Sequence, residues 1–128
     1  VICGTLAKIE ELMPVYRRIV VDVPPLFSDL SLFEKIVVVV SADIIQSVEP
    51  TKELLEKQGV SPTMVVYNCK KPEIPEEMLK LYFGGMPLIA IEEDFAGCSA
   101  ALTADLPALI KSQGIAQAIG IIAAGIDA

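Results

Sequence analysis

Short apolar runs alternate with amphipathic stretches along most of the chain, and this alternation predicts strands separated by helices. "KIVVVVSA", residues 35–42, is the plainest strand. Val37 to Val40 show no polar alternation, which predicts burial on both faces and therefore a parallel strand covered by helices. "TMVVYNC" and "PLIAIE" read as two more strands, and "VICGT" and "RIVVDV" as another two. "LAKIEELMPVYRR" has helical spacing at Leu6, Ile9, Leu12 and Met13, with Pro14 placed to kink or end it. "SVEPTKELLEKQGV" reads as a helix with Pro50 in its first turn and Gly59 as its C-cap. "IPEEMLKLYFGG" is a short helix closed by Gly84 and Gly85, and the chain after Asp94 reads as helical in one or two pieces. Strands alternating with helices predict an α/β fold of three layers, a mostly parallel sheet flanked by helices.

Composition narrows the chemistry. A chain of 128 residues suits one compact domain, and 53% hydrophobic residues suffice for a substantial core. The net charge is −7 and histidine is absent. A nucleic-acid backbone is therefore a poor partner, and histidine-based acid–base or metal chemistry is excluded. Cys3, Cys69 and Cys98 are far apart and odd in number, without a CxxC spacing, which disfavours zinc and iron–sulfur sites and suggests a reduced, cytoplasmic chain. Cys98 has no base nearby in sequence and reads as a small buried hydrophobe. The chain starts at Val1, which suggests an excerpt or a processed chain, and no signal peptide is evident. The most apolar segment, residues 106–128, is interrupted by Lys111, Ser112, Gln113 and Gln117, so direct membrane insertion is not expected.

Ligands of open parallel sheets sit beyond the carboxyl ends of the strands. That selects the segments 22–29, 41–43, 68–71 and 92–94. Asp22 follows a β-branched run and precedes two prolines, a position suited either to a hard cation, bound directly or through water, or to capping the turn. Asn68 offers both a donor and an acceptor, fit for a base edge or for an Asx turn.

Four segments in register carry a family resemblance. "IVVDVPPLFSDLSL" resembles the Asp-x-Pro-Pro-Gly-x-Ser-Asp segment of the MinD/ParA-like ATPases, a deviant-Walker branch of the P-loop fold. "FEKIVVVVSADIIQSVEPTKELLEKQGV", "SPTMVVYNCKKPEIPEEMLKLYFGGMPLIAIEEDF" and the tail "SAALTADLPALIKSQGIAQAIGIIA" are similar to its later segments, in the same order. The resemblance implies ATP and Mg²⁺ as cofactors. Asp22 would be the catalytic Walker B acid, reaching Mg²⁺ through water. Pro24, Pro25, Ser28 and Asp29 would belong to the switch loop, and Asn68, Glu92 and Asp94 would surround the adenine. It implies either a single α/β domain over residues 1–128 or the C-terminal part of a larger P-loop ATPase domain. Protein partners would be engaged by a homodimer or by association with a missing N-terminal part, as in the CpaE/TadZ-like positioning branch.

The departures are as informative. Leu26 replaces the switch glycine, and Glu92 replaces the proline beside the base. No GxxxxGK[ST] loop is present to cradle phosphates, so the expected sheet lacks the P-loop strand. A base of about ten heavy atoms at roughly 0.3–0.5 kcal/mol each gives about 3–5 kcal/mol, or millimolar affinity. The sequence thus predicts a chain that does not hydrolyse ATP alone. The alternative is a degenerate, non-catalytic P-loop-like interaction module. An unrelated flavodoxin- or receiver-like domain is a third reading, although "VICGTL" lacks a receiver's acidic pair.

Overall fold

The computed structural model of the chain describes residues 6–23, 29–41, 46 and 48–127. Three parallel strands, β1 (Val37–Ser41), β2 (Met64–Lys70) and β3 (Leu88–Glu92), form one sheet in the order β1-β2-β3. Val37 lies opposite Met64 and Ser41 opposite Asn68; Val65 lies opposite Leu88. Helices α2 (Val48–Gln58) and α3 (Glu76–Tyr82) provide the crossovers. Gly59, at φ +66°, ends α2 in the left-handed conformation that its N–H bond to Glu56 requires. The strands predicted at 35–42, 63–69 and 87–92 are present as β1, β2 and β3, together with both crossover helices. So is the first helix, α1 (Leu6–Leu12), which gives way to a turn at Pro14.

Alternation along the strands sorts the core onto two faces. Val38, Val40, Val65 and Tyr67 pack with Val48 and Leu55 of α2 and with Leu79 of α3. Val66 and Ile91 face the other way, against Ala118 of α6 (Gln113–Asp127), with Val37, Ile115 and Ile122 packed around them. The molecule is therefore α/β with helices on both faces of a parallel sheet. Tyr67 is fully buried, and its hydroxyl accepts the Lys71 N–H at 3.1 Å and donates to the Ile74 carbonyl at 3.0 Å. It thereby closes the loop that leaves β2.

Three expectations need correction. Residues 18–23 form no strand: nothing among the described residues pairs with them, and Val20 is 84% exposed. Strand propensity alone does not make a strand; a hydrogen-bonding neighbour is needed. Val39 is 61% exposed: β1 is an edge of the sheet formed by the described residues, and the face that carries Val39 has no described helix over it there. The C-terminal part forms three helices, not one or two: α4 (Phe95–Thr103), α5 (Ala108–Lys111) and α6. Asp105, at φ +54°, and Pro107 separate the first two. The "VICGT" strand lies outside the described residues.

Tyr67→Phe removes the hydroxyl's bonds to two part-buried backbone groups and should lower stability by about 1 kcal/mol in urea denaturation. Val39→Thr, on an open edge, should change it by no more than about 0.5 kcal/mol.

Candidate functional site

The carboxyl ends of β2 and β3 are held together by an irregularity and a double cap. Pairing between β2 and β3 slips between Tyr67 and Lys70, where Cys69 takes φ +53°, so that Lys70 comes opposite Glu92. Lys70 Nζ bonds Glu76. That bond chiefly holds the ammonium above the ordinary lysine value against desolvation, with the fields of Glu76 and Glu92 adding to it. After β3, Asp94 is the N-cap of α4, its Oδ1 accepting the Gly97 N–H at 2.8 Å. A Cβ at position 97 would collide with that carboxylate, which explains the glycine.

Ser112 repeats the arrangement two helices later, before α6. Its hydroxyl accepts the Ile115 N–H at 3.3 Å in the first turn of α6 and also bonds Asp94. Ser112 is nearly fully buried. The Asp94 carboxyl is held below its ordinary value of 3.8, first by the Ser112 hydroxyl and then by the Gly97 N–H, with burial opposing. Sequence reasoning missed Ser112 as a site residue. The signal was present: a serine placed directly before the periodic apolar run of α6 is an N-cap pattern.

α6 starts beside Asp94, at the carboxyl end of β3, and packs over that strand. Its last turn reaches the amino ends of the other two. Gly125 meets the Met64 side chain, and the Ile126 carbonyl accepts from Lys35 Nζ. The helix thus crosses the sheet obliquely and leaves the carboxyl half of β1 uncovered. The resulting cavity, about 620 Å³, has Val39, Val66, Ile119 and Ile122 as walls and Asn68 and Glu92 at the strand ends. Glu93, Asp94, Cys69 and Cys98 also line it, and no lysine or arginine does so among the described residues. Cys98 is exposed here, not buried as expected. A smaller cavity of about 380 Å³ lies between the ends of α2 and α3, beside the amino ends of the strands, where Lys52 stacks 4.5 Å from the Tyr82 ring.

The structure therefore brings Asn68, Glu92 and Asp94 to one cavity. Asp22 is exposed on the segment 18–23, which pairs with no described strand, and does not line it. Asp29 precedes a short 3-10 turn (Leu30–Leu32), where its carboxylate accepts from the Ser31 hydroxyl at 2.6 Å, a local turn bond. Pro24, Pro25 and Ser28 lie outside the described residues. Among the described residues, no group of three or more carboxylates or thiols is placed to hold a metal ion. None of their helices is long and apolar enough to cross a membrane. No family model matches the chain, nor does any curated protein or solved structure.

Asp94→Ala should lower the urea midpoint at pH 7. Because the folded-state value is depressed, the carboxylate's contribution is fully present above the unfolded value, about 3.9, and is lost as pH falls through the folded one. The gap between wild type and variant should therefore close with acidification below that range. Asp22→Asn, at an exposed unpaired position, should move stability by no more than about 0.5 kcal/mol at pH 7.

Proposed function

We propose that the chain is the base-side part of a MinD/ParA-like nucleotide switch that works through protein partners in the cytoplasm and does not hydrolyse ATP as this chain alone. One observation carries the reading. Asn68 and the Glu92–Asp94 turn, which the resemblance assigns to the base, line a single cavity at the carboxyl ends of adjacent parallel strands. The apolar walls suit one face of a planar base, and the Asn68 amide suits its edge.

The same cavity does not fit the rest of the cofactor. Its polar groups include three carboxylates and, among the described residues, no cation, so triphosphate would be repelled there. Asp22, the metal-side acid of the resemblance, stands outside it, and no step of phosphoryl transfer follows from these residues. The acidic lining and exposed apolar walls favour a second reading, the non-catalytic interaction module, in which the cavity serves a partner in place of a base.

Calorimetry at micromolar protein should detect no ATP binding with or without Mg²⁺; sub-micromolar affinity would refute the proposal. Adenosine at millimolar concentration should shift the backbone amide resonances of Asn68 and of residues 92–94. Shifts confined to other residues would remove the base from the cavity and leave the interaction module.

A further inference from the structure

We infer that the groove between α6 and the uncovered half of β1 is a docking site for a basic amphipathic helix of a protein partner. The inference rests on the reading that the chain works through protein partners and deepens its interaction-module form, in which the cavity serves a partner in place of a base. On α6, Ile115, Ile119 and Ile122 all line the groove, at the i, i+4, i+7 spacing of a helix–helix seam. Ile115 and Ile122 also pack onto the sheet, whereas Ile119 remains 43% exposed. Across the groove stands Val39, 61% exposed in the middle of a valine strand. In a sheet with helices on both faces, this is the place of a second helix beside α6, and among the described residues none occupies it. An apolar helix stripe would cover Val39 and Ile119 together, as amphipathic helices fill hydrophobic grooves elsewhere.

Charge selects the occupant's flanks. Glu92 and Glu93 are exposed at the carboxyl end of the groove, and no lysine or arginine lines it among the described residues. Lys70, the cation next to Glu92 across the sheet, is tied to Glu76. A helix bearing lysines or arginines beside its apolar stripe would meet the two glutamates, while a second copy of this chain, at a net charge of −7, would bring like charge to the same rim. The outer edge of β1, which no described strand pairs, is also a place where a strand could add. A helix is favoured because the groove walls are side chains from an α6 seam and one strand face, not the edge itself.

The test uses a helix-forming peptide of roughly 15 residues, with leucines at i, i+4 and i+7 and lysines on both flanks, and a counterpart with glutamates for lysines. Fluorescence anisotropy should show saturable binding of the lysine peptide. The glutamate peptide should bind at least roughly tenfold more weakly. Methyl NMR should place the shifts on Val39, Ile119 and Ile122. Ile119→Asp and, separately, Glu92→Lys with Glu93→Lys should each weaken binding by roughly tenfold or more, with unchanged circular dichroism. Failure of the lysine peptide to bind, equal binding of both peptides, or affinity unaffected by the variants would overturn the inference. So would new amide protection along Val37–Ser41, which means an added strand, or self-association through this face in sedimentation. Shifts of the Asn68 amide with adenosine report on the base reading, so its failure is told apart from failure of this inference.

Discussion

The fold depends on β2 being paired on both sides. It is the one strand of the described sheet with two neighbours, and four of its residues, Met64 to Tyr67, are buried in succession. Its alternate side chains supply both cores: Val65 and Tyr67 anchor α2 and α3, and Val66 anchors α6. A parallel strand in this position must be covered on both faces, because its first half, Met64 to Val66, is apolar on both. The helices are held by that requirement more than by ion pairs. The Arg18–Asp127 and Lys8–Glu11 bridges are exposed and contribute little.

What the sequence made legible follows from which interactions are local. Pro50 and Gly59 mark the ends of a helix through their own backbone restrictions, and runs of β-branched residues mark β1, β2 and β3. What it concealed is non-local. The run "RIVVDV" has the same local preference as "IVVVV" but finds no hydrogen-bonding neighbour among the described residues, and propensity does not record whether a neighbour exists. Likewise Val37 to Val40 are chemically identical, and what separates buried Val38 and Val40 from exposed Val39 is the face each takes: the first two lie under α2 and α3, whereas Val39 lies on the face that α6 covers only in part. The breaks in the C-terminal helices were written in Asp105, Pro107 and Ser112, yet the apolar periodicity running through them masked the punctuation.

The candidate site divides along the same line. Asn68, Glu92 and Asp94 were found because the carboxyl ends of parallel strands converge by topology, whatever the loops do. Asp22 was grouped with them on the supposition that its segment joins the sheet, and without that pairing it stays apart. The cavity's apolar walls come from the oblique course of α6, which no residue of the sequence announces. Its chemistry follows from the open wall: where a neighbouring helix would exclude water, the described residues offer apolar surface beside carboxylates.

The contact between Asp94 and Ser112 has a consequence for cooperativity. Each side chain caps its own helix, and each is a partner of the other's capping group. Neither cap is complete while the other helix is unfolded, so the start of α4 and the start of α6 belong to one folding unit. Amide exchange at Gly97 and Ile115 would then follow a single opening event with one free energy, although they are 18 positions apart and a separate short helix lies between them.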